Sequence, residues 1–199
     1  MGEAAMKALV LARIEENVAV QQALLANAAY LESVIAAARV LADALSAGKK
    51  AMFFGNGGSA ADAQHLAAEL TGRFLAERRS LAGLALNCNV SLLTAIGNDY
   101  GFEEVFARQI AGLGAPGDVA IGISTSGNSA NVLHAMEVAR QKRITTVGLT
   151  GRGGKLVALV DHCIRIPADS PPRVQEAHIL TGHILCEIVE QQLFREGRR

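Results

Sequence analysis

The chain has no tryptophan, two tyrosines, four prolines and three cysteines in 199 residues. Each shortage excludes something. Cys88, Cys163 and Cys186 are odd in number, widely spaced and include no C-x-x-C pair. Neither a disulfide framework nor a cysteine-based zinc site therefore organises the chain; they read as reduced core residues of a cytoplasmic protein. No charge is in excess, because 19 basic and 19 acidic side chains cancel. Without a basic surplus there is no electrostatic reason to expect nucleic acid or an anionic membrane as partner. No apolar run reaches the roughly 18 residues that a membrane span needs. The opening stretch MGEAAMKALVLARIEEN mixes acids into its apolar residues, unlike a signal peptide. The expectation is a soluble, unprocessed protein.

Half of the residues are hydrophobic, and this length suits one α/β domain with a full core rather than two. Residues 1–199 are read as that single domain, with 1–47 as N-terminal helices. Residues 3–27 and 29–47 carry apolar residues at helical intervals without proline, which predicts two helices. The first spreads Leu9, Val10, Leu11, Ile14, Val18 and Val20 around much of its circumference. That pattern suggests packing against another subunit as well as its own domain. Burial wholly within the monomer stays open as the alternative.

From Lys50 onward short apolar runs alternate with amphipathic stretches, the sign of a doubly wound, mainly parallel five-stranded sheet flanked by helices. Strands are predicted at 50–54, 82–86, 118–123, 144–149 and 162–166, and helices at 59–73, 90–97, 102–112, 129–142, 153–160 and 173–194. Ligands in such sheets bind at the carboxyl ends of the strands. Two loops fall there. Gly55-Asn56-Gly57-Gly58-Ser59 follows the first strand and opens a helix; its glycines would let a phosphate approach, with helix N–H groups facing the anion. A plain turn explains the same residues until context is known. In the helix that follows, His65 and Glu69 are four apart and share a face, so they could share a proton or a metal ion. Arg73 is read as one turn further along that stripe.

The second loop, Gly122-Ile123-Ser124-Thr125-Ser126-Gly127-Asn128-Ser129, places four hydroxyls at one helix entrance. A helix cap needs only one, so the set fits phosphate oxygens better. Between the loops, Ala95–Gly101 interrupts two helices, and Asn98 and Asp99 either orient sugar hydroxyls or simply form a turn. The last helix, announced by Pro171-Pro172, carries Gln175, Glu176, His178 and His183 in an apolar frame, with Gln175 and His183 near one stripe. His134 and His162 are read as structural, hydrogen-bonded core histidines.

Four segments, GNGGSAADAQHLAAELTGRF at 55–74, AIGNDYGF at 95–102, GISTSGNSANV at 122–132 and RVQEAHILTGHIL at 173–185, together resemble the SIS (sugar isomerase) domain family, and within it the bacterial phosphoheptose isomerases. The likeness covers nearly the whole length. It implies substrate binding by Asn56, Gly57, Gly58, Asn98, Asp99, Ser124, Thr125, Ser126, Ser129 and Gln175, with Ser59 close by. It implies a zinc ion among His65, Glu69, Gln175 and His183, an acid/base pair of Glu69 and His183, and a homotetramer whose sites are completed by neighbouring subunits. The implied activity is isomerisation of sedoheptulose 7-phosphate through an enediol. One position departs: some members have an acidic residue just before the basic one that precedes Val-Gln-Glu, and here it is Pro172, with Asp169 nearby. Isomerisation of another sugar phosphate is the nearest rival. A sister branch binds the bacterial replication initiator and lacks the metal and acid/base residues, which this sequence retains.

Overall fold

The computed structural model describes residues 1–194. Five apolar runs form one all-parallel sheet: β1 (Ala51–Gly55), β2 (Gly83–Ala85), β3 (Val119–Ser124), β4 (Thr145–Thr150) and β5 (His162–Arg165), in the order β2-β1-β3-β4-β5. Parallel neighbours need crossover connections, so helices cover both faces. Alternation along the strands sorts the core into two layers. Ala51, Phe53, Val119, Ile121 and Ile123 pack with α2 (Ala28–Ser46), α3 (Gly58–Thr71) and α8 (Pro171–Phe194). Met52, Phe54 and Ala120 pack with α4 (Val90–Tyr100), α5 (Glu104–Leu113), α6 (Ala130–Gln141) and the single turn α7 (Leu156–Leu159).

The remaining helix, α1 (Glu3–Leu25), lies outside these layers and buries only Leu24. It is pinned to α8 by Asn17 Nδ2 donating to Glu176 (2.5 Å) and Arg173 Nη1 donating to the Arg13 carbonyl (2.8 Å). Among the described residues no single helix is long and apolar enough to cross a membrane; α1 and α2 pass that test only as a pair bent by 78°.

Every strand lies within one residue of its predicted span. The helices differ more: α1, α5 and α8 are displaced by two residues at one end, and three further differences are larger or bear on the predicted site residues. α4 continues through Tyr100, so Asn98 and Asp99 sit in its last turn rather than in a break; Gly97 has room inside the helix, and the stop is Gly101 at φ +98°. α7 is shorter than 153–160 because Gly153 and Gly154, the latter at φ +104°, hold the chain out of the helix. α3 ends at Thr71 with Gly72 as its C-cap, which leaves Arg73 off the His65–Glu69 stripe; its side chain is exposed and reaches only Glu77 at 4.0 Å.

Candidate active site

The chain leaves β1 towards β2 on one side of the sheet and returns past β1 to β3 on the other. The loops after β1 and β3 therefore diverge and open a crevice at the carboxyl edge, where α/β sheets bind ligands. Those are the two loops singled out above. They are joined across the crevice by Asn56 and Asn131, whose side-chain amides exchange two hydrogen bonds of 2.8 and 2.9 Å. Gly55 permits the close approach, since a Cβ there would stand 2.7 Å from the Ile123 carbonyl. Gly57 adopts φ +56°, a conformation that side chains resist, and starts α3 with its N–H groups at the crevice. Ser59 is buried, with its N–H bonded to Asn56 O at 3.0 Å.

In the second loop the Ser124 hydroxyl lies 2.9 Å from that of Ser129 and 3.4 Å from that of Ser126. Ser129 is the N-cap of α6, yet its side chain makes no capping bond. The hydroxyls thus converge on one another at a helix N-terminus, where helix N–H groups and the dipole favour negative charge. Gly127, at φ +65°, lets the loop close against Gly153, whose carbonyl a Cβ would meet at 2.3 Å. Asn128 braces it by accepting from Lys155 N (3.0 Å), and the Thr125 carbonyl accepts from Gly151 N (3.1 Å).

About two turns along α3 from the first loop, α3 and α8 cross closely. A Cβ on Gly182 would lie 2.6 Å from both Leu66 Cδ atoms, so only glycine allows this spacing. The residues that follow Gly182 and precede Leu66 then meet. His183 Nε2 lies 2.8 Å from His65 Nε2, which lies 3.2 Å from Glu69 Oε1. One ligand atom from each of the three falls within 4.8 Å of the others. Two imidazole nitrogens this close need a proton or a cation between their lone pairs. Two imidazoles and a carboxylate are also a donor set that suits zinc. Phe74 stacks on the His183 ring, with centroids 5.5 Å apart.

Gln175 lies against the first loop: a Cβ on Gly58 would come within 2.2 Å of both amide atoms. Asp62 shares that corner. Burial raises its pKa, opposed by a hydrogen bond from Gln175 and the charge of His65. Asn98 Nδ2 donates to Asp99 (2.8 Å); both are exposed, and no hydrogen bond among the described residues ties them to either loop. Asp169 pairs with Arg152 at 2.9 Å on the surface. His134 is a surface residue between Glu104 and Glu137, not a core histidine. Three residues of the site were not singled out from sequence. Asn131 and Phe74 were visible only as members of the quoted segments. Asn87, whose Nδ2 donates to Gly55 O at 2.8 Å, carries no local signal.

The SIS domain family matches residues 16–151. A phosphoheptose isomerase of Rhodospirillum rubrum is 56% identical over 162 residues, 81% of this chain and 86% of that protein. One of Solidesulfovibrio magneticus is 51% identical over 194 residues, 98% and 94% of the two chains. Among solved structures, the phosphoheptose isomerase of Neisseria gonorrhoeae superimposes with a TM-score of 0.88 at 42% identity, covering 94% of this chain and 99% of that one.

Proposed function

Because the chain belongs to the SIS domain family, and its relatives at about half identity or more are phosphoheptose isomerases, we propose that it converts D-sedoheptulose 7-phosphate to D-glycero-D-manno-heptose 7-phosphate, for the heptose of lipopolysaccharide or a related glycan. The observation that carries this reading is the meeting of Glu69, on the helix that opens at the glycine-rich loop, with His183 from α8; the hydroxyls gathered in the second loop support a phosphate there.

The reaction moves a proton from carbon 1 of the ketose to carbon 2 and a second proton between the two oxygens. Glu69 is the base for the carbon proton, which leaves an enediol, and it returns the proton to the former carbonyl carbon. His183 carries the oxygen proton. Acid/base catalysis of this kind contributes about 10²–10⁴-fold. The Ser124, Ser126 and Ser129 hydroxyls, the Thr125 segment and the α3 N-terminus with Asn56, Gly57, Gly58 and Ser59 grip the phosphate end. Binding energy remote from the reacting carbons then positions them. Gln175 orients the sugar from the α8 side, and Asn98, Asp99 and Arg73 are assigned to substrate from surface positions. A zinc ion held by His65, Glu69 and His183, with Gln175, would supply Lewis-acid stabilisation of the negative charge that develops on oxygen.

The same reading makes the protein a cytoplasmic homotetramer. Free cysteines support the compartment, although only Cys186 is the core residue expected, Cys163 being half-buried and Cys88 exposed; the uncovered apolar face of α1 supports the assembly. The test is proton NMR of the purified protein with sedoheptulose 7-phosphate, before and after chelation and with zinc restored. Aldoheptose 7-phosphate should appear, vanish on chelation and return with zinc. If folded, zinc-loaded protein converts none of it but does convert a five- or six-carbon phosphate, the heptose assignment falls and the isomerase class stands.

A further inference from the structure

The segment 72–82 between α3 and β2 is held by a buried ion pair that the chemistry above does not use. Arg78 and Glu190 expose 2% and 5% of their side chains and meet at 3.0 Å. Glu190 accepts from the backbone N–H groups of Phe74 (3.2 Å), Leu75 (2.9 Å) and Ala76 (2.7 Å). Arg78 donates to the carbonyls of Leu70 (2.9 Å), Gly72 (3.1 Å), Arg79 (3.0 Å) and Glu69 (2.7 Å). Burial alone would raise the Glu190 pKa; the three backbone donors and the guanidinium outweigh it and hold the carboxyl below its ordinary range.

A buried ion pair is a weak source of stability, since apolar residues of similar volume often do as well. An apolar pair could not donate to four carbonyls and accept from three amides at fixed directions. Those bonds end on the backbone carbonyl of Glu69 and on the residues that follow it as far as Arg79. The guanidinium caps the C-terminal end of α3, which has no basic residue in its last turn, and one of its bonds is to Glu69 itself. The carboxylate anchors Phe74, whose ring lies on His183. Glu190 stands two turns beyond His183 on the same helix. One pair therefore ties the helix end that bears Glu69 to the helix that bears His183.

We propose that Arg78 and Glu190 are positioning residues for the acid/base couple, fixing the Glu69 end of α3 against α8 and holding Phe74 on the His183 ring. The proposal rests on the isomerase reading for its kinetic consequence and on geometry alone for its structural one. The test compares wild type, Arg78→Lys, the apolar double variant Arg78→Met with Glu190→Leu, and Phe74→Leu, all zinc-loaded. The double variant leaves no unpaired buried charge and is the one expected to fold if Arg78→Lys does not. Two quantities are read: kcat and KM for sedoheptulose 7-phosphate, and the His183 ring-proton resonances in histidine-labelled protein, assigned by their loss in His183→Gln. In wild type, stacking on Phe74 is expected to shift these resonances upfield relative to Phe74→Leu. The expected result is a kcat lowered by roughly tenfold to a hundredfold with KM little changed, since the misplaced groups are the reacting ones. The upfield shift should disappear in Phe74→Leu and also in the pair variants, where Phe74 is still present.

A folded pair variant that keeps both the wild-type kcat and the shift overturns the proposal and leaves a structural staple. Should neither pair variant fold, Phe74→Leu decides: an unchanged kcat overturns the proposal. If wild type isomerises no sugar phosphate, the functional reading fails by itself. The resonance shift, which needs no turnover, still decides the positioning.

Discussion

A methyl group at Gly58 would enter the Gln175 amide, 2.2 Å from both its nitrogen and its oxygen. The backbone there is not in the left-handed region, and alanine favours a helix over glycine by about 1 kcal/mol. The obstacle is the far end of a flexible side chain, which can move aside. Gly58→Ala should therefore fold with its melting temperature kept, while Gln175 is displaced and turnover of sedoheptulose 7-phosphate falls; melting and kinetics measured together check this. A large loss of stability instead would mean that the Gln175 position is structural. Glu69→Gln makes the complementary test, because it keeps the shape and removes the base. Its kcat should fall by about 10²–10⁴-fold with the fold intact, and activity near wild type would remove Glu69 from the mechanism. At this scale the sequence was informative where chemistry is local. His65 and Glu69 are one turn apart, so their meeting follows from helix geometry. The meeting with His183, 118 residues from His65, depends on how α3 and α8 pack, which no spacing encodes. Arg73 was misplaced for a related reason: Gly72 ends the helix one residue before it.

Helix α8 supplies Gln175 and His183 to the site and Glu190 to the buried ion pair, and it also carries His178, which is 1% exposed and faces the Thr150 backbone. Desolvation by burial pushes its pKa down from 6.5 to about 4, opposed by a hydrogen bond with the Thr150 backbone. The unfolded chain therefore binds a proton between pH 6.5 and about 4 where the folded one does not. Its stabilising effect is complete above pH 6.5 and is lost as the pH falls through that window, by about 3 kcal/mol in all. Urea unfolding at pH 7 and pH 5 should show the loss begin, and His178→Leu should flatten the slope. Equal slopes in the two proteins would assign the acid sensitivity to other groups. The apolar pattern around His178 indicated a core histidine. It could not indicate the contact with Thr150, because hydrogen bonding is decided by the neighbouring strand and not by the helix. The sheet was legible almost to the residue because its central strands β1, β3 and β4 are buried on both faces and read as nearly continuous apolar runs, and the edge strands β2 and β5 take their places in the same alternation with helices. Helix ends were less so, since Gly97 has room inside α4 while Gly101 stops it.

At the scale of the whole molecule the unpartnered feature is α1. Met6, Leu9, Val10, Leu11, Ile14 and Val18 each expose between 46% and 57% of their surface. Burying one such side chain contributes roughly 1.5–3 kcal/mol, so six together give a driving force on the order of 10 kcal/mol for covering this face. Its spread around the helix was legible in the sequence; what covers it was not, because one chain does not contain its partner. The same helix grips the start of α8 through Asn17 and Arg13, close in sequence to Gln175, so assembly and site share an element. Asn98 and Asp99 point the same way, being exposed and, among the described residues, unattached to the glycine-rich and serine-rich loops of their own chain. The double substitution Val10→Glu with Ile14→Glu places two charges on the apolar face without touching the crevice. Light scattering after size exclusion should show a tetramer for wild type and a smaller species for the variant, with turnover falling along with the assembly. A wild type that is monomeric at working concentration would sink the assembly. A dissociated variant with full turnover would instead show that one chain carries a complete site, and that Asn98 and Asp99 serve the crevice of their own subunit or none.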